Sequence, residues 1–310
     1  MDLLEQQQIL ERLNTITDFI RFGSSLFNRE KLYFGHGTEN AVDEAAYLVL
    51  HTLNLPNSFH SDYFSATLLG HEKQQILDAL LARSTKRIPA SYITHQANFA
   101  GLSFYVDERV LVPRSPIAEL IQEQFSPWVD AEQVHNILDL CTGSGCIAIA
   151  CAYAFPEACI DAVDLSAEAL DVAKINVKNH HLEEMVNLIQ SDLFSTFEQD
   201  ENDCFASKYD IIVSNPPYVD KEDMSLLPEE YRAEPELGLA AGDDGLGLVI
   251  PMLQQAQQYL SDQGILIVEV GNSDMALQDS FPDIPFYWLE FKNGGHGVFV
   301  LTKEQLQSYF

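Results

Sequence analysis

The chain has 310 residues, 46% hydrophobic and 21% charged, which suits about two domains with sizeable cores. Lys and Arg total 17 against 47 Asp and Glu, a formal net charge of −30. That balance argues against DNA or RNA as a partner, because such binding rests on basic groups that neutralise phosphates.

A basic protein would instead be drawn in electrostatically, although adaptation to a salty habitat produces the same acidity. No run approaches the ~20 apolar residues that span a bilayer, and no membrane partner is expected. The start, Met1-Asp2-Leu3-Leu4-Glu5, lacks the basic region of a signal peptide, so a cytoplasmic location is expected.

Leu10, Leu13, Ile16 and Ile20 recur at helical steps. Residues 43–53 (DEAAYLVLHTL) predict a second helix and residues 72–84 (EKQQILDALLARS) a third. Residues 1–95 therefore read as a small helical domain. Residues 99–106 and 110–112 are rich in β-formers, with Asp107 and Glu108 between them, and predict a hairpin closed by Pro113 and Pro116. Residues 96–116 would be that hairpin connector, and residues 117–310 a second domain.

In the second domain strands and helices alternate. Strands are expected at 137–141, 159–163, 186–190, 209–214 and 265–270, with helices at 147–155, 166–179 and 246–260. Ser166 is a candidate N-cap. Segments 286–291 and 298–301 flank Asn293-Gly294-Gly295 and predict a terminal hairpin. Residues 197–203 are polar and acidic and predict a surface loop. The alternation implies an α/β fold with a mostly parallel sheet covered by helices on both faces. The five cysteines, Cys141, Cys146, Cys151, Cys159 and Cys204, show neither a C-x-x-C pair nor zinc spacing, so no metal or disulfide role is expected.

Asp139-Leu140-Cys141-Thr142-Gly143-Ser144-Gly145 ends the first of these strands and opens a helix. Glycines there permit a tight turn and close approach of a ligand to helix N–H groups. No lysine follows, which excludes a P-loop, and Ala148 stands at the third glycine of the dinucleotide pattern. Asp164 ends the next strand, where a carboxylate can accept both ribose hydroxyls of an adenosine, in NAD or in S-adenosylmethionine. Capping the following helix is its other possible task. Asp139 would face the amino-acid end of the ligand or organise the loop. Asp192 and Leu193 would meet the adenine.

Asn215-Pro216-Pro217-Tyr218 directly follows an apolar strand. Two prolines cannot continue a central ladder, so they turn a rigid corner at the carboxyl end of the sheet, where α/β proteins bind ligands. A planar amide or amino nitrogen is a poor nucleophile because its lone pair is delocalised. The Asn215 side-chain oxygen can accept one of its N–H groups and the Pro216 carbonyl the other, which holds the nitrogen toward a methyl donor. Tyr218 offers a flat face to the planar group and a cation–π contact to a sulfonium. Asn-Pro and Pro-Pro also mark ordinary turns, but here three strand-end features agree in order.

These motifs resemble those of the protein-glutamine amide methyltransferases. The likeness runs from Arg87-Ile88-Pro89 through Val110-Leu111-Val112-Pro113-Arg114 to Glu234-Pro235 and Gly242-Asp243-Asp244-Gly245. It implies a Rossmann-like class I methyltransferase domain with a mostly parallel seven-stranded sheet, S-adenosylmethionine as cofactor, and a helical domain that recognises substrate. It implies Asp139, Thr142, Gly143, Ser144, Gly145, Asp164, Asp192, Leu193 and Asn215 at the cofactor, and Asn215, Pro216, Pro217 and Tyr218 at the substrate.

Members modify peptide-chain release factors or ribosomal protein L-three. Pro113-Arg114-Ser115-Pro116-Ile117-Ala118 departs from the P-R-P-E-T-E of release-factor members, and Tyr33-Phe34-Gly35-His36-Gly37-Thr38 is similar to the ribosomal branch. The resemblance therefore implies glutamine methylation of a basic ribosomal protein, and the acidic surface favours its free form or an early assembly intermediate. Rival readings are release-factor methylation, a nucleic-acid adenine methyltransferase, which the charge opposes, and a non-enzymatic assembly factor.

Overall fold

A computed structural model describes residues 2–197 and 208–310. Its contacts divide the chain into two compact units, Met1–Gln96 with Pro228–Ala233, and Ala97–Leu227 with Glu234–Phe310.

The first unit is helical: α1 (Leu3–Arg12), α2 (Ile16–Arg29), α3 (Ala41–Thr52), α4 (Gly70–Lys86) and α5 (Ala90–Thr94). The periodic run through Leu10 and Ile20 is broken into two helices. Thr15 caps α2, with Asp18 N donating to Thr15 Oγ1 at 3.2 Å and Thr15 N to Asp18 Oδ2 at 2.9 Å. This reciprocal capping box satisfies donors that the α2 N-terminus would otherwise leave unpaired. Gly23 lets α2 approach α4 closely, since a Cβ there would lie 2.8 Å from Leu80 Cδ2. Phe19, Phe27, Leu48, Ile76, Leu77 and Leu80 form the buried core.

That core also contains charge. Arg83 is 1% exposed; its Nε donates to Glu44 Oε1 at 2.5 Å, its Nη2 to the Tyr33 carbonyl at 2.7 Å, and its Nη1 to Glu230 Oε1 at 3.5 Å. Arg87 Nη1 reaches the same Glu230 oxygen at 3.0 Å. The stretch 228–233 is thus fastened within the helical unit by two guanidinium groups.

The second unit begins with a hairpin of β1 (Ala97–Phe99) and β2 (Leu102–Phe104), with Phe99 opposite Leu102. The turn is at Ala100-Gly101, both at positive φ (50° and 82°), and not at Asp107-Glu108 as the β-rich runs predict. Residues 110–112 are not a strand. The Asp107 carboxylate explains the shift: it accepts from Arg109 N at 3.1 Å and from Arg109 Nε at 2.9 Å, which curls the chain locally instead of pairing it.

Then follow α6 (Ile117–Gln122), β3 (Asn136–Leu140), α7 (Cys146–Ala154), β4 (Cys159–Asp164), α8 (Ala167–Asn179), β5 (Val186–Gln190) and β6 (Tyr209–Ser214). After these come α9 (Lys221–Leu226), α10 (Val249–Tyr259), β7 (Leu260–Glu269), α11 (Asp274–Ser280), β8 (Tyr287–Trp288), β9 (Val298–Thr302) and α12 (Lys303–Tyr309). Ser166 caps α8 as expected, accepting from Ala169 N at 3.1 Å. The expected acidic loop at 197–203 lies, beyond Phe197, outside the described residues.

The seven-stranded sheet has the order β5-β4-β3-β6-β7-β9-β8. β3 to β7 pair in parallel, and β9 runs antiparallel to β7 and β8. Successive side chains of β3 serve opposite faces: Ile137 joins the core with α7, and Leu138 and Leu140 join the core with α10. Both faces being covered explains why these strands read as continuous apolar runs rather than alternating ones. β3 is flanked by β4 and β6, so strand order reverses there. Connections leave to opposite sides at that point and open a crevice beyond the carboxyl ends.

Candidate active site

The crevice holds a cavity of about 330 Å³, bounded by the turn after β3, the ends of β4 and β5, and the corner after β6. Thr142, Gly143, Ser144, Asp164, Asp192, Leu193, Asn215 and Pro217 all line it. Four expected site residues, Asp139, Gly145, Pro216 and Tyr218, are not among the lining residues.

The turn after β3 is shaped by positive φ at Cys141 (60°), Gly143 (56°) and Gly145 (79°). A Cβ on Gly143 would meet nothing within 4 Å, so that backbone faces open space. A Cβ on Gly145 would lie 3.2 Å from Ala173 Cβ, so this glycine serves the packing of α7 on α8. Thr142 N donates to the Val163 carbonyl at 2.9 Å and ties the turn to β4.

Asp164 Oδ2 accepts from Gly143 N at 2.8 Å, and Oδ1 from Ser166 N at 2.9 Å. Asp164 also lines the cavity. Burial raises its pKa, partly opposed by these backbone N–H groups.

Asp139 lies beneath the turn. It is 0% exposed, and its Oδ2 accepts from Thr142 Oγ1 at 2.5 Å and from Ala148 N at 3.1 Å. Oδ1 is buried without a hydrogen bond. Burial pushes the carboxyl up to about 7. Of its two sequence readings, this geometry matches the loop-organising one: the carboxylate joins the turn to the first turn of α7.

At the corner, Ser214 Oγ donates to the Leu140 carbonyl at 2.7 Å and locks the end of β6 to β3. Asn215 lines the cavity, and among the described residues no group hydrogen-bonds its side-chain amide. Tyr218 does not present its ring to the cavity wall. Its hydroxyl donates to Glu269 Oε1 at 3.0 Å, and its carbonyl accepts from Ser273 Oγ at 2.9 Å. Gly271 lies against the ring, where a Cβ would come within 2.5 Å of Tyr218 Cε2.

Several residues at the site were missed by sequence reasoning. Arg114 grips Glu234 bidentately, Nη1 to Oε1 at 2.7 Å and Nη2 to Oε2 at 2.8 Å, and Val112 N donates to the same carboxylate at 3.0 Å. The grip closes segment 234–238 onto the cavity wall, where Leu111, Pro235 and Leu237 lie. Both partners stand in the resembling motifs, but 120 residues of separation gave no signal that they pair. Asn176, 0% exposed on α8, joins Ser144 to Tyr105: its Nδ2 donates to both carbonyls, at 2.9 and 3.0 Å, and its Oδ1 accepts from Tyr105 N at 2.7 Å. Its only trace in sequence is a polar residue on an apolar helix face.

The family model described as methyltransferase small domain matches residues 122–228. Two curated relatives, from Neisseria meningitidis serogroup A (strain DSM 15465 / Z2491) and serogroup B (strain ATCC BAA-335 / MC58), are each 50% identical over 300 residues. The match covers 96% of this chain and 96% of theirs, and both are named ribosomal protein uL3 glutamine methyltransferase. This chain belongs to the uL3 glutamine methyltransferase family. In this family member the methyltransferase fold carries the Gly-rich turn, Asp164 and the Asn-Pro-Pro-Tyr corner on three strands of one sheet. The hMettl16 catalytic domain, solved in complex with MAT2A 3'UTR hairpin 6, is similar with a TM-score of 0.50 at 16% identity, covering 75% of this chain and 81% of that chain. That likeness is one of fold.

Proposed function

We propose that this protein methylates the side-chain amide nitrogen of a glutamine in ribosomal protein uL3, with S-adenosylmethionine as methyl donor. One observation carries the reading: Asn215 shares a single cavity with Gly143 and Asp164 at the carboxyl edge of the parallel sheet. The cavity fits an adenosine-bearing ligand in size, in the open backbone at Gly143, and in the carboxylate of Asp164 at its wall.

Bound S-adenosylmethionine supplies an electrophilic methyl group on a sulfonium. Asp164 would hold the ribose hydroxyls, with Asp192 and Leu193 beside the adenine and Thr142, Gly143 and Ser144 along the turn. Asp139 and Gly145 act from below, by shaping that turn. Asn215 accepts one N–H of the substrate amide and the Pro216 carbonyl the other, and Pro217 makes the corner rigid. This orientation is the main contribution of the chain to the reaction, and it is worth several kcal/mol, up to roughly 7–11. The amide becomes acidic as its nitrogen is alkylated and releases its proton to water, so no strong base is needed.

The net charge of −30 favours a basic substrate that is free of rRNA, or in an early assembly intermediate, over the phosphate-coated subunit. No described helix is long and apolar enough to cross a membrane. The test is radiolabel transfer from S-adenosylmethionine to purified uL3 and to release factors side by side. Label on uL3 is expected. Label on release factors alone would keep the chemistry and overturn the acceptor.

A further inference from the structure

Glu269 is an acid that ends β7 directly after the apolar run Ile265-Leu266-Ile267-Val268, 5% exposed, and it belongs to no motif that marks the active site. Its two oxygens are both engaged. Oε1 accepts from Tyr218 Oη at 3.0 Å and Oε2 from Ser115 Oγ at 2.5 Å. Ser115 lines the cavity, and its Oγ also accepts from Ile117 N at 3.1 Å. One carboxylate therefore joins three stretches far apart in sequence: the wall at Ser115, the corner at Tyr218 and the end of β7.

We infer that Glu269 is a positioning residue for methyl transfer, which fixes Tyr218 and with it the Asn215-Pro216-Pro217 corner against the cavity wall. The inference rests on the reading of the corner proposed above. Contacts that hold Tyr218 include the Glu269 bond at its hydroxyl, the Ser273 bond at its carbonyl, and Gly271 against its ring. Prolines fix the path of the corner but not its tilt relative to the sheet. A tether from the tyrosine two residues beyond Pro216 to a neighbouring strand restrains that tilt. Burial raises the Glu269 carboxyl, while bonds from Ser115 and Tyr218 and the charges of Arg114 and His296 pull it back. Burial of a carboxylate at such a cost, with two hydroxyls as its hydrogen-bond donors among the described residues, points to placement of those hydroxyls rather than to stability.

A misplaced reacting group costs up to about a hundredfold in rate, so Glu269→Ala should lower kcat on uL3 roughly 10- to 100-fold and change the Kd of S-adenosylmethionine less than about threefold. Glu269→Gln keeps one acceptor and one donor for two rotatable hydroxyls, and should recover most of the loss. In a Tyr218→Phe background, Glu269→Ala should add little, because the bond it removes is already absent. Fluorine NMR of protein labelled with 3-fluorotyrosine supplies a second readout. The resonance missing in Tyr218→Phe should shift in Glu269→Ala.

Wild-type turnover in Glu269→Ala, equal losses in cofactor affinity and rate, or fully multiplicative effects with Tyr218→Phe would overturn the inference. An unmoved fluorine resonance would overturn it too. If the wild-type enzyme labels no uL3, the acceptor proposed above fails, and the resonance still decides the Glu269 contact.

Discussion

The core of the helical unit and the Gly-rich turn of the sheet unit bury carboxylates in opposite ways. In the helical unit, Glu44 and Glu230 are each 1% exposed and meet Arg83, with Arg87 added at Glu230. Burial raises Glu230, but its own N–H, the Tyr33 N–H and the two guanidinium groups outweigh that and hold the carboxyl below its usual range. In the sheet unit, the hydrogen-bond donors to Asp139 and Asp164 among the described residues are neutral N–H and O–H groups, and burial leaves both raised. The core carboxylates of the helical unit are neutralised by fixed cations, as Glu234 is by Arg114 at the cavity wall. The two aspartates at the Gly-rich turn are held by weaker neutral donors, and Asp139 shapes that turn.

The largest effect should come where function is separated from folding. Asn215→Ala should lower turnover at least roughly 1000-fold, because the substrate amide loses its orientation, while calorimetry shows near-normal cofactor binding and urea unfolding is unchanged. Collapse of cofactor affinity would show that the corner builds the cofactor site as well. In the helical unit, Arg83→Met strands Glu44 in the core and should cost about 3–5 kcal/mol in urea unfolding. A neutral result would mean that the network contributes nothing to stability, and the contrast would fall.

Asp139 and Glu230 should also differ in the sign of their pH response. The Asp139 carboxyl stands at about 7 in the folded state against 3.8 without burial. Between those values the folded state holds a proton that the unfolded state has lost, so stability falls as pH rises toward 7. At about 1.4 kcal/mol per pKa unit the decline is at most about 4 kcal/mol, and Asp139→Asn should flatten it. Glu230, being depressed, contributes stability that is lost in the other direction, as pH falls through its folded pKa. Urea midpoints of wild type and Asp139→Asn from pH 5 to 8 check the first half; identical slopes would refute it. The smallest change is Thr15→Ala, which removes the cap between α1 and α2 and should cost about 1 kcal/mol without touching turnover.

Much of the site was legible because it sits at strand ends. Gly143, Asp164 and Asn215 each end an apolar run, and parallel strands bring their carboxyl ends to one edge without further information. The hairpin was misplaced by one step because β-forming residues at 110–112 are also what a buried wall outside any sheet requires; Val110 and Val112 are both 1% exposed. The break before α2 was hidden because Leu13 and Ile16 keep the helical spacing across it.

Sequence alone determined the parallel strands and the helices between them, the order of motifs along the sheet, the acidity and the family likeness, since periodicity, turn chemistry and composition are local properties. Tertiary structure decided which groups meet. The Arg114–Glu234 grip spans 120 residues and the Ser115–Glu269 bond 154. It also decided what Asp139 does, because a carboxylate faces a ligand or supports a loop according to the neighbours that exclude its water, and those come from α7 and β4 rather than from its own strand.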